Sequence, residues 1–138
     1  MTTRTEVILE ARSWLRTPWR HQGRRKGLGC DCIGHIICTA KACGLLPAEF
    51  DVQGYSPFPD PPKMRKYLSE FLDPVRGADK RGGDVLWLMP RHVPQHLAIY
   101  TFDDTIIHAI DRQRGVREHR LENWWKIVAV YRFRGLDD

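Results

Sequence analysis

The sequence contains no apolar run near the ~20 residues that a membrane-spanning helix requires, so no membrane span is expected. Its opening, MTTRTEVILEARSW, lacks the apolar centre of a secretory signal. The expectation is a chain made in the cytoplasm that leaves it, if at all, by another vehicle. There is no internal repeat, low-complexity tract or long polar linker, which excludes solenoids and disordered arrays. There is no C-x-x-C pair. The four cysteines, Cys30, Cys32, Cys38 and Cys43, match no zinc spacing, and three of them fall in one helical pattern that scatters them around its axis. Neither a metal nor a cofactor is expected, and in a chain without an export signal the thiols should be reduced.

Lys and Arg number 22 against 17 acids, for a formal charge of +5, with much of the excess in RHQGRRKG and RQRGVREHR. No nucleic-acid-binding motif accompanies these runs. They read as solvated basic faces or as contacts for an anionic polymer such as cell wall. A length of 138 residues suits one domain, residues 1–138. A domain of this size buries roughly 68–70% of its unfolded surface and needs no disulfide staples.

Residues 3–15 predict a helix: Thr3 and Glu6 fit a capping box, and Val7, Ile8, Ala11, Trp14 and Leu15 form an apolar stripe. Thr17-Pro18 stops it, and a Gly-rich loop over 20–30 follows. A second helix is predicted over 32–43, with Asp31 at the N-cap and Gly44 past the C-terminus. A Pro- and Gly-rich loop over 45–60 leads to a third helix near 61–72, after Asp60 and with Pro61 and Pro62 in its first turn. The period then changes. DVLWLM, HLAIYT, TIIHAI and KIVAVYRF are short β-type runs. Helices first and strands after argue for an α+β fold on an antiparallel sheet.

Cys32 is the predicted first residue of the second helix. Exposed N–H groups and the helix dipole favour an anion there, so its thiol is expected to have a lowered pKa and to be the reactive one. Gly29 and Gly34 leave room for a substrate chain. Cys30, Cys38 and Cys43 read as small hydrophobes. A thiolate needs a base. His35, one turn after Cys32, could touch the sulfur but reads better as a histidine on the helix surface. His21, His92 and His119 fall in predicted loops or strand ends. His96 and His108 lie in two β-type runs flanking TFDDT, a predicted hairpin. With an odd loop such as 101–105 the two imidazoles share one face as diagonal neighbours. With a two-residue Asp103-Asp104 turn they fall on opposite faces.

Taken together, TPW, GCDCIG, GGDVLWL, HLAIY, IIHA and GV, in the order Cys, His, His, resemble the NlpC-type peptidoglycan cysteine peptidases, the NlpC/P-sixty family. The resemblance spans TPWRHQG to VAVYRF and is closest to the short members encoded with tailed-phage and gene-transfer-agent tail genes. It implies a papain-like fold, with N-terminal helices and the catalytic cysteine at a helix N-terminus packed on a twisted antiparallel sheet. It implies Cys32 as nucleophile, His96 as general base and His108 as the group that orients His96. The Cys32 N–H is a ready oxyanion donor, with Trp19, Asp31 and Ile33 at the substrate side. The expected partners are the peptidoglycan stem peptide and phage-like tail hub or tip proteins. The expected setting is a virion or tail acting in the periplasm or wall of a target cell. Two departures stand out: Trp19 where the family usually has Tyr, and Ile33 where Ser often follows the nucleophile. Asp31 reads as an N-cap or as a contact for a substrate ammonium. Asp84 reads as turn chemistry. Arg20, Arg24, Arg25 and Lys26 read as solvated or as contacts for substrate carboxylates. A structural tail-tip subunit working by docking, and a thiol acyltransferase or amidase, are the other functions this sequence allows.

Overall fold

The computed structural model describes residues 2–90 and 96–137; His92 lies outside them. In chain order the elements are β1 (Thr2–Thr3), α1 (Arg4–Arg12), β2 (Arg24–Arg25), β3 (Gly29–Cys30), α2 (Cys32–Ala42), α3 (Pro61–Phe71), β4 (Asp73–Val75), a 3-10 turn (Gly77–Asp79), β5 (Val85–Met89), β6 (His96–Tyr100), β7 (Thr105–Ala109), β8 (Val116–Arg120), β9 (Lys126–Arg132) and β10 (Leu136–Asp137). The α+β expectation holds.

The helix starts follow from local chemistry. Thr3 and Glu6 close a capping box on α1. Asp31 caps α2, its side chain accepting the Gly34 N–H, and Asp60 caps α3 at the Lys63 N–H. These contacts satisfy donors that a helix start leaves open. At the far end of α2, Gly44 takes φ +72°. The Gly44 N–H bonds Lys41 O and the Leu45 N–H bonds Ala40 O, the paired closure of a Schellman motif. Helix α1 is shorter than its apolar stripe. After Arg12 the chain tightens into three-residue turns, with Leu15 N–H on Arg12 O and Thr17 N–H on Trp14 O, yet Trp14 still enters the core.

Six strands form one sheet in the order β4-β9-β5-β6-β7-β8, antiparallel throughout. Alternation divides its residues between two cores. Val85, Trp87, Leu97, Ile99, Ile107 and Ala109 pack with α1 and α2. Leu86, Leu88, Ala98, Ile106 and Val130 pack on the opposite face with Trp125. Strands β4 and β8 are absent from the sequence reading. Asp73-Pro74 reads as a helix stop, and VREHR is too polar to read as a strand, as befits an edge.

Asp84 does more than close a turn. It accepts the Arg81 N–H at 2.8 Å, but it is also fully buried, 3.0 Å from Arg4 Nη1 and 2.9 Å from Arg132 Nε. This ion cluster ties α1 to β5 and β9, away from the site described next.

Candidate active site

Four segments converge where the N-terminus of α2 meets the start of β6. The loop before α2 is built for close approach: a Cβ at Gly34 would lie 2.2 Å from Gly23 O, so only glycine lets the first turn of α2 pack on that loop. Asp31 is saturated. Besides the Gly34 N–H at 2.8 Å, it accepts the Gln22 N–H at 2.8 Å, the Tyr55 hydroxyl at 2.5 Å and Arg24 Nη1 at 3.2 Å. Its oxygens have no vacant direction left for an ammonium, which favours the capping role. Burial, then the Asp31 contact, raises the Tyr55 pKa. Arg24 is therefore not a solvated cation: it also reaches Val52 O at 2.7 Å and Asp51 at 2.9 Å, fixing the 45–60 loop over the site. Lys26 pairs with Glu10 at 2.9 Å.

Cys32 begins α2 and is half-buried. Its sulfur takes backbone hydrogen bonds from Leu97, Ile33 and its own residue. The Leu97 contact seats it at a split in the sheet, because β6 and β7 are in ladder register only at Ile99–Ile107 and Tyr100–Ile106. The helix terminus does not win the electrostatic contest. Burial, with Asp31 adding to it, pushes the thiol pKa up to about 12 against the three N–H contacts, so the lowered pKa expected from sequence is not found in the resting site. Burial also pushes the other thiols up, Cys30 to about 12.

A cavity of about 650 Å³ brings together Trp19, Asp31, Cys32, Ile33 and His96, under walls that include Phe58 and Trp124. Trp19 is held beside Cys30 by an isolated bridge, and the Arg112 guanidinium lies 5.0 Å above its ring.

The hairpin has the odd loop. Strands β6 and β7 pair as Tyr100 with Ile106, the Thr101 N–H bonds Thr105 O, and Asp104 takes φ +57°. His96 and His108 therefore share a face, with ring centroids 5.7 Å apart at 87°. Burial lowers the pKa of His96, with Asp111 opposing it. His108 is fully buried, and desolvation, then His96 and His119, holds it well below the ordinary value. Both rings are neutral at pH 7.

One histidine departs from its expected place, and a second, at a strand end, has a partner the sequence does not show. His35 is not on a helix surface: it is fully buried, its Nε2 lies 3.1 Å from Ala11 O, and burial lowers its pKa to about 4. It joins α2 to α1 and does not line the cavity. His119 lies on β8, with Nε2 2.8 Å from His108 Nε2. The one sequence signal for it was GVREHR following TIIHA at hairpin distance. Tyr55, inside DVQGYSPFP, gave no signal. Among the described residues no group of three or more His, Cys, Asp or Glu is placed to hold a metal ion. A 2.8 Å gap between His108 and His119 leaves no room for an ion bonded to both at ~2.0–2.1 Å each.

A cysteine at a helix N-terminus, set against histidine-bearing strands of an antiparallel sheet, is the architecture of the papain-like fold. Comparison with solved structures gives the particular variety, the NlpC/p60 fold. The NlpC/p60 domain of the peptidoglycan hydrolase SagA matches with a TM-score of 0.67 at 18% identity, over 94% of this chain and 97% of that one. An NlpC/p60 family protein from Bacillus cereus gives 0.69 at 19%, over 96% and 41%. The peptidoglycan hydrolase RipB from Mycobacterium tuberculosis gives 0.64 at 18%, over 94% and 63%. This chain thus spans nearly all of the SagA domain but about two fifths of the Bacillus cereus chain. At these identities the likeness establishes the fold. No protein-family model matches the sequence, and no curated protein matches it significantly.

Proposed function

We propose that this chain is a cysteine peptidase that hydrolyses an amide bond in the stem peptide of bacterial peptidoglycan. The observation that carries the reading is the convergence of Cys32 and His96 on one cavity, with the sulfur bonded by the N–H of the residue after His96. The peptidoglycan hydrolases SagA and RipB share the fold, which supports the substrate class.

The mechanism follows from two neutral partners. A thiol whose pKa is near 12 is not an anion in advance, so its proton must leave as the sulfur attacks. His96, neutral because burial lowers its pKa, accepts that proton as the C–S bond forms and the carbonyl becomes an oxyanion. The Cys32 N–H, at the helix N-terminus, is the donor proposed for that oxyanion. Collapse expels the amine, which takes the proton back from His96, and leaves an acyl-enzyme. Water, deprotonated by His96, then adds to the acyl carbon; collapse breaks the C–S bond, releases the acid and returns the proton from His96 to the Cys32 sulfur. The role assigned to His108, whose ring centroid lies 5.7 Å from that of His96, is to orient His96 by accepting a hydrogen bond from it during turnover.

The reading extends to a phage-like tail component that opens the wall locally, acting in the periplasm or wall of the target cell. Its supports are the GCDCIG opening, the LENWWKIVAVYRF ending and the +5 charge. Phe58 and Trp124, 77% and 65% exposed beside the cavity, favour docking to a tail hub or tip protein as a second role. Mass spectrometry of products from defined muropeptides tests the whole reading. Wild type should release two fragments and Cys32→Ala none, with unchanged circular dichroism. Equal cleavage by both proteins would end the proposal. A product carrying an added amine in place of water would instead mark an acyltransferase.

A further inference from the structure

Three histidines cross the sheet on one face. His96 and His108 are diagonal neighbours on β6 and β7. His119 stands opposite Ile106, which makes it the diagonal neighbour of His108 on β8. The Trp125 ring packs on all three, with centroids 5.9, 5.2 and 5.5 Å away.

The hydrogen bonds assign the protons. His119 Nδ1 lies 2.8 Å from Arg120 O. A carbonyl oxygen can only accept, so Nδ1 carries the hydrogen. In the neutral ring Nε2 is then a lone pair. His108 Nε2, 2.8 Å from it, must be the donor. A neutral His108 with its hydrogen on Nε2 has a lone pair on Nδ1. That Nδ1 is buried without a hydrogen-bond partner, and so is His96 Nδ1.

We infer that His119 is a positioning residue that fixes His108 as its Nε2–H tautomer, so that His108 Nδ1 stays free to accept a hydrogen bond from His96. The inference rests on the hydrolase reading for its catalytic consequence, but the tautomer itself does not. Without His119 the hydrogen of His108 is free to move to Nδ1, and that nitrogen could then no longer accept a hydrogen bond from His96. His119 never meets substrate; it acts through His108.

Two measurements on the full chain test this. Ring 1H–15N long-range correlation spectra of histidine-labelled protein should show His108 with a pyrrole-type Nε2 and a pyridine-type Nδ1. His119→Leu should abolish that fixed pattern. The spectra need no substrate, so they decide the tautomer whether or not the chain cleaves muropeptides. Kinetically, His119→Leu should lower kcat about tenfold, the loss of one well-placed hydrogen bond, with KM within about twofold. His119→Gln, which restores an acceptor, should recover most of kcat. A His108 ring protonated on Nδ1 in the wild type, or a kcat unchanged by His119→Leu, would overturn the inference.

Discussion

At the residue scale the outcome turns on how much water each group keeps. Cys32 has the helix N-terminus that a reactive thiol needs, yet it also has Asp31 beside it and a cavity roof above it. Desolvation exceeds the local N–H contacts, and its pKa rises to about 12. The sequence displays the helix terminus but not the roof, because the roof comes from residues 45–60, far along the chain. The consequence is testable. Alkylation of Cys32 by iodoacetamide, followed by peptide mass mapping, should accelerate steadily above pH 8.5 without a plateau near neutrality. A fast, pH-independent rate between pH 6 and 8 would mean a preformed thiolate–imidazolium pair. Activity should show an acid limb below pH 6.5, since His96 must be neutral to take the proton and burial lowers its pKa. His35 teaches the complementary lesson. Its acceptor, Ala11 O, belongs to another helix, so nothing within α2 told an inward histidine from an outward one.

At the scale of elements, the parts with their own local chemistry were legible. Capping residues located the starts of all three helices and Gly44 the end of α2, while TFDDT marked a hairpin but left open whether His96 and His108 share a face; the pairing of Tyr100 with Ile106 decides that. The parts defined by partners were not. Strand β8 is polar because it is the sheet edge, and β4 holds only three residues. Missing β8 meant missing His119. Asp31 is the element-scale test, because it both starts α2 and anchors the loop over the cavity. Asp31→Ala should cost about 1–2 kcal/mol for the cap and more for the Arg24 and Tyr55 groups left without it. Asp31→Asn, which keeps an accepting oxygen, should lose less. Urea midpoints of the two variants measure the difference; equal losses would mean that capping is not what Asp31 contributes.

At the scale of the whole molecule, the folded state holds three neutral, desolvated histidines, His35, His96 and His108. Each has a folded pKa below its unfolded value near 6.5. The unfolded chain therefore binds more protons below that pH, and stability is complete above about 6.5 and falls as the pH drops toward 4. His35 alone, held at about 4, accounts for roughly 3 kcal/mol of that fall. Urea unfolding from pH 7.5 to 4 should follow this course, and a flat profile would mean that these rings are hydrated. The central claim is that the Cys32 sulfur attacks an amide carbonyl with His96 as base. Its most direct test is peptide mapping of the protein quenched in acid during turnover of a defined muropeptide. The account predicts an acyl group on Cys32 that is absent in His96→Ala. Cleavage products formed with Cys32 unmodified, or an acyl group on Cys30, Cys38 or Cys43 instead, would contradict it.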